Sequence, residues 1–463
     1  MIFSSIEFLL WFLPGFFILY ALTPNKLKNV TLLSGSMIFY ALGEPEWLLF
    51  LMISVLVNFY IGQFVAKPEQ RGKKRLRKLA RQEKNRKRLL VAAIIGNIGV
   101  LALYKFIPGL GGLPLGISFY TFQVLSYLID VYRDDQQKEM SFFRFATYIV
   151  MFPRLMSGPI VTYGEVRDEL SSRNFTVEGL QEGLKVFSVG LAAKVLLADR
   201  IGILWNEVQI TGFESISTPL AWMGAVAFSL NLYFDFYGYS LMAIGLGQML
   251  GFKLPMNFEE PYMSCSVRDF YRRWHITLGR WFCRYVYIPL GGSRQGELRT
   301  VFNLFAVWML TAVWHGRTVN YLVWGMMIFL LIVLERQAEN KGISKVFEKG
   351  VLRAVPHLYL WAVIPVTWMC FAITDLPQLK LYLGRMFGIV EGLHVYTGDW
   401  RKALETYWYL FGIGFAACTP AVTRLFRKWK DSLPGILVLV ALFWLCVWRL
   451  QAQGMNPFRY FDF

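Results

Sequence analysis

The chain has 463 residues, 56% of them hydrophobic and 17% aromatic, and long apolar runs recur from end to end. Many of these runs approach the roughly 20 residues a helix needs to cross a bilayer, which excludes a water-soluble enzyme and describes a polytopic membrane protein. Lysine and arginine outnumber aspartate and glutamate by 48 to 31, for a net charge of +17, and twelve basic residues crowd between Lys67 and Arg88 with Glu69 and Glu83 as the acids among them. That run has no interleaved aromatic residue, so it suits a cytoplasmic loop facing anionic lipid and gives no support to nucleic acid as a partner.

In chain order, membrane spans are expected over residues 2–22, 30–42, 47–66, 89–106, 115–131, 143–152, 180–197, 220–250, 301–314, 321–334, 358–373, 406–426 and 433–448, several too short to cross fully. The first lacks the basic residues that open a secretory signal and has no small-residue cleavage site before Pro24, so it reads as a retained span. Breaks at Pro153, Gly158 and Pro159, and at Gly291 and Gly292, read as re-entrant or interfacial backbone, tolerated where protein or a water-filled cavity surrounds it. Lys26, Lys28 and the 67–88 block should face the cytoplasm, which puts the N-terminus outside. Arg427, Lys428 and Lys430 before the last span put the tail, 449–463, outside as well, so the number of crossings should be even. No fixed-period repeat is visible, and residues 1–463 read as one all-α membrane domain.

Five cysteines (Cys265, Cys283, Cys370, Cys418 and Cys446) form no CxxC pair and read as structural thiols. The four histidines carry more information. His275, in Arg272-Arg273-Trp274-His275-Ile276-Thr277-Leu278, and His315, in Ala312-Val313-Trp314-His315-Gly316, each sit beside a tryptophan in apolar surroundings. A histidine ring withdrawn from water and left unpaired stays neutral near pH 7 and can act as a base. His357 and His394 fall at span ends or in loops and read as structural.

Residues 266–278 read as a single helix capped by Ser266. Phe270, Trp274 and Leu278 would share one face, and Arg268, Arg272 and His275 a polar, basic one suited to phosphates or a carboxylate. Asp269 and Arg273, four apart, are placed to pair. His315 ends an apolar segment one turn after Thr311 and just before Gly316, so its helix should stop there with the ring on an internal cavity. The plain alternatives are headgroup contact for the arginines and a hydrogen-bonded core position for His315. A base in an apolar cavity beside a basic groove points to acyl transfer onto a hydroxyl. Metal binding is the rival chemistry, but the two histidines lack a nearby third ligand and no HxxxH or HExxH spacing occurs, so no metal is expected.

Four stretches carry a family resemblance: residues 152–160 (FPRLMSGPI), 271–278 (YRRWHITL), 287–292 (YIPLGG) and 314–316 (WHG). Together they resemble the membrane-bound O-acyltransferase family, in its bacterial alginate O-acetylation and teichoic acid D-alanyl transfer branch. The resemblance implies a ring of tilted transmembrane and re-entrant helices around a central funnel in a bacterial inner membrane. It implies His315 as the catalytic histidine and His275 as its second position, held by histidine or asparagine across the family. Arg268, Arg272, Trp274, Trp314 and Thr311 are the expected substrate-binding residues. The implied donor is acetyl-CoA, with an acyl carrier protein as the alternative. The tail Phe458-Arg459-Tyr460-Phe461-Asp462-Phe463 has the spacing FxYxxF, resembling a C-terminal motif of such export systems whose tyrosine carries the acyl group onward. Tyr460 is thus the third expected catalytic residue, an extracytoplasmic SGNH-hydrolase-like transferase the expected partner, and a polysaccharide the expected acceptor. The chain departs from the family pattern at Cys283-Arg284-Tyr285 and at Tyr237 and Leu241. Two other readings compete: a transporter or flippase of an acyl or lipid-linked species, with the histidines as proton relays, and direct acylation of a protein or lipid, with the tail as an aromatic anchor.

Overall fold

The computed structural model describes residues 1–67, 76–107, 109, 112–156, 158–348 and 350–453. Tyr460 with its FxYxxF motif, Ser157 and residues 68–75 of the basic run lie outside the described residues. Helices make up the described chain, and the β pairing within it is one isolated bridge, Phe258 to Trp274. The chain is all-α, as its apolar runs require: backbone groups in lipid must be satisfied within each segment. Among the described residues, five helices are long and apolar enough to cross a membrane: Pro45–Val65, Ala80–Phe106, Val319–Asn340, Leu352–Ala372 and Leu433–Ala452. This is a multi-pass membrane protein.

Several elements differ from the sequence expectation. Residues 76–88 of the basic run are helical and continue without a break into the apolar segment, as Leu76–Phe106. Lysine, arginine, glutamine and glutamate are good helix formers, and neither glycine nor proline interrupts residues 76–95. The span expected over 406–426 is two helices, Asp399–Ala417 and Pro420–Trp429, bent by 77°. Proline lacks the amide that would continue the helix, so Thr419 turns extended and its hydroxyl accepts from the Ala421 amide instead.

The chain divides into two compact units. The first, residues 1–187 and 242–255, is built on aromatic packing: Phe39 lies 5.5 Å and Phe16 5.3 Å from Phe152. Phe152 opens the short helix Phe152–Leu155, whose Arg154 is wholly buried and donates to the Tyr148 carbonyl. The chain then doubles back so closely that a Cβ on Gly158 would lie 2.5 Å from the Pro153 carbonyl oxygen.

The second unit, residues 188–241 and 256–463, contains both histidines of interest. Its core pairs the helices Glu297–His315 and Val319–Asn340, where Gly325 admits Ala312 at a distance no side chain would allow: an added Cβ would lie 2.8 Å from the alanine Cβ. A buried ion cluster joins two other helical segments, with Lys194 Nζ 2.6 Å from Asp199 and 2.8 Å from Asp235.

Candidate active site

His275 does not sit on a continuous helix. The helix Val267–Arg273 ends at an extended Trp274, His275 adopts φ 46° and ψ 52°, and a second helix, Ile276–Phe282, starts after it. The sequence expectation of one helix over 266–278 is corrected here, and the cause lies 18 residues upstream. Residues 257–259 run alongside 273–276: the Glu259 amide donates to Arg273 O (3.0 Å) and the Ile276 amide to Asn257 O (2.9 Å). Asn257 Oδ1 completes the clamp, accepting from the Thr277 amide (3.3 Å) and hydroxyl (2.9 Å) and lying 3.1 Å from His275 Nδ1. A left-handed residue other than glycine costs on the order of 1 kcal/mol, and these bonds offset it.

The first of the two helices is anchored as expected and then further. Ser266 Oγ accepts from the Asp269 amide (3.0 Å), and Asp269 binds Arg273 (3.0 Å) and also Arg272 (2.6 Å). Glu335, from a distant helix, accepts from the amides of Val267 (2.6 Å) and Arg268 (3.1 Å). Those amides have no partner within their own helix, and a carboxylate suits that end of the helix dipole.

His315 is the last residue of Glu297–His315, as expected, and Gly316 continues extended. A side chain at Gly316 would run into the Tyr321 ring. The imidazole is enclosed by aromatic edges, with Trp324 at 5.1 Å and 90°, Phe371 at 5.0 Å and Trp314 at 4.7 Å.

Both histidines line one cavity of about 280 Å³. Its other walls include Tyr271, Trp274, Trp308, Thr311, Trp324, Trp368 and Phe371. Trp274 packs on Trp368 at 5.0 Å, and Tyr271 on Trp308 at 4.8 Å. Such walls exclude water and leave two imidazoles, a few hydroxyls, the Cys283 thiol and the indole N–H groups as the polar groups of the lining residues. A second hollow of about 810 Å³ shares Tyr271, Gly279 and Cys283 with the first. It is lined by Arg268, Arg272, Arg280 and Asp269, with Arg272 paired to Asp269 (2.6 Å) and Arg268 to Glu339 (2.8 Å). A phosphate or carboxylate arriving beside the apolar chamber would exchange with these carboxylates on the guanidinium groups.

Of the residues expected at the site, His275, His315, Trp274 and Thr311 line the cavity. Arg268 and Arg272 line the adjoining hollow, so they do not share a face with His275 as a continuous helix would have required. Trp314 packs on His315 without lining the cavity. His357 and His394 lie elsewhere, His357 with its Nε2 3.4 Å from Cys265 Sγ and His394 in a loop at φ 54°. Tyr460 falls outside the described residues. The sequence reading missed Asn257, Glu335 and the cavity role of Cys283. Asn257 and Glu335 stand in no motif that reading used, and their partners lie far along the chain, so no local periodicity marks them. No group of three or more potential metal ligands occurs among the described residues.

Comparisons with known proteins agree with this architecture. Residues 47–341, more than half of the chain, match the family described as MBOAT, membrane-bound O-acyltransferase family. The chain is similar to a protein named probable alginate O-acetylase from Pseudomonas aeruginosa, 35% identical over 533 residues that cover 100% of both chains. It is 30% identical over 440 residues to the peptidoglycan O-acetyltransferase of Helicobacter pylori, covering 84% of this chain and 80% of that one. Over 270 residues it is 30% identical to the teichoic acid D-alanyltransferase of Bacillus subtilis, covering 53% and 67%. A helical membrane chain that brings two histidines into one aromatic cavity, matches the family model over more than half its length and the Pseudomonas aeruginosa relative over all of it belongs to the membrane-bound O-acyltransferase family and is an acyltransferase.

Proposed function

We propose that the protein passes an acyl group, acetyl in the first instance, from a cytoplasmic thioester across the membrane for O-acylation of a cell-surface or secreted polysaccharide. The observation that carries this reading is the pairing of a two-histidine aromatic cavity with an arginine-lined hollow that shares part of its wall. Acetyl-CoA suits that pairing, since its phosphates match the arginines and its acyl end matches the apolar chamber; an acyl carrier protein is the alternative donor. The names of the full-length relatives, alginate and peptidoglycan O-acetyltransferases, favour a glycan as the final acceptor.

In this mechanism His315 takes the proton from an acceptor hydroxyl and the oxygen attacks the thioester carbonyl. The C–S bond then breaks and the thiolate leaves, recovering the proton from the histidine. His275 either orients the hydroxyl or stabilises the oxyanion. The first acceptor is the Tyr460 phenol, whose ester an extracytoplasmic SGNH-hydrolase-like transferase then moves to the glycan. The cavity binds its reactants through Trp274 and Thr311, with Trp314 supporting the His315 ring. The reading places the protein in a bacterial inner membrane with both termini outside.

The test is mass analysis of purified protein incubated with isotopically labelled acetyl-CoA. Label should appear on Tyr460 in the wild type and vanish in His315→Ala and in Tyr460→Phe. Glycan acetylation at the wild-type rate by Tyr460→Phe would overturn the relay. Absence of label in a wild type that binds the donor would redirect the reading to direct transfer or another donor.

A further inference from the structure

Asn257 is 1% exposed and belongs to no motif so far used, yet it touches His275 directly. The orientation of its amide follows from an unambiguous donor: the Thr277 backbone amide points at the side-chain atom 3.3 Å away, and an amide N–H requires an acceptor there. That atom is therefore the oxygen, Oδ1, and the Thr277 hydroxyl at 2.9 Å donates to it as well. The same oxygen lies 3.1 Å from His275 Nδ1. An amide oxygen cannot donate, so Nδ1 must carry the hydrogen. A neutral imidazole has one ring proton, which leaves Nε2 as the lone-pair nitrogen.

We propose that Asn257 is a positioning residue that holds His275 in the Nδ1–H tautomer, making Nε2 the proton or hydrogen-bond acceptor of that ring in the acyl-transfer site. The inference rests on the acyltransferase reading of the cavity and decides between the two roles left for His275. A neutral ring with its proton committed to Asn257 offers a lone pair to an incoming hydroxyl and has no second N–H for an oxyanion. Oxyanion stabilisation then falls to other donors, and His275 Nε2 holds the incoming hydroxyl by accepting its single O–H hydrogen, which the hydroxyl then turns to His315 for removal as the oxygen attacks. The backbone clamp between 257–259 and 273–276 serves the same end, because it fixes the left-handed backbone from which the ring projects toward Asn257.

The chain has four histidines, so ¹⁵N-histidine labelling of the full-length protein in lipid nanodiscs gives a spectrum simple enough to assign, with His275 identified by its loss in His275→Gln. The expected result is one protonated and one bare nitrogen in the Nδ1–H pattern for wild type. Asn257→Asp keeps an acceptor and should keep that pattern. Asn257→Leu should shift the ring toward the Nε2–H form favoured by free histidine, and should lower kcat for acetyl transfer at least about tenfold with little change in donor KM. An Nε2–H pattern in the wild type overturns the proposal, and this measurement needs no variant to fold. An unchanged pattern in folded Asn257→Leu overturns it too. If the Nδ1–H pattern is found and depends on Asn257 while no variant, wild type included, transfers acetyl, the tautomer assignment stands and the acyltransfer reading of the cavity is what fails.

Discussion

Two ion pairs of the second unit differ in how water treats them. Lys194 is 1% exposed, with Asp235 equally buried, so neither charge has solvent to fall back on. Replacing Lys194 by methionine would remove the cation from between two carboxylates, and breaking a buried pair in this way costs about 3–5 kcal/mol. Lys194→Met should therefore melt well below wild type in detergent, and Asp235→Leu added to it should recover part of the loss. Glu297 binds Arg336 at 2.9 and 3.1 Å in the open. Those hydrogen bonds hold its carboxyl below the usual 4.5. A lowered carboxylate pKa contributes stability that is complete above the unfolded value and fades as pH falls through the folded one. Glu297→Gln should thus show a small melting deficit at pH 7 that closes as pH drops below about 4.5 and shrinks in high salt. At this scale the sequence marked His275 and His315 because each is an ionisable ring in an apolar stretch. It could not mark Asn257, an ordinary polar residue whose partner stands 18 positions away.

At the scale of elements, the site depends on how closely the two helices flanking His315 approach. Trp308 O would lie 3.0 Å and Ala312 Cβ 2.8 Å from any side chain placed on Gly325. Gly325→Val should force these helices apart, with an overpacking cost of about 1–3 kcal/mol. It should also reduce acyl transfer more than a comparable substitution on the outer face, such as Leu330→Val, in a paired melting and activity measurement. The helices themselves were largely legible: Thr218–Met249 and Val355–Ala372 match the expected 220–250 and 358–373 within a few residues. The break between Trp274 and His275 was not. The intrinsic pattern there is helical, and the backbone bonds to 257–259 that interrupt it are tertiary. The bend at Pro420 did have a local signal in the proline itself, outweighed in the reading by the apolar run on either side.

For the molecule as a whole, the exposed surface carries many large apolar side chains, including Trp11, Leu22, Phe64, Trp408 and Trp444. Such a surface is stable against lipid and unstable against water. The protein should stay in the membrane pellet after alkaline carbonate washing and enter solution only with detergent; release by carbonate alone would contradict an integral membrane protein. The basic run between Lys67 and Arg88 adds charge but cannot replace that apolar contact.

Membrane residence, the all-helical class and the end of the His315 helix were determined by the sequence itself. Each follows from local properties, namely apolar run length, the need to satisfy backbone groups within a segment, and a glycine after the last helical residue. The shared cavity, the separation of His275 from Arg268 and Arg272, and the fixed His275 ring were decided by tertiary structure. They depend on Asn257 and Glu335 supplying hydrogen bonds to backbone and side chains remote in the chain. A contact between distant segments leaves no periodicity in either one, so its effect becomes visible only once the chain has folded.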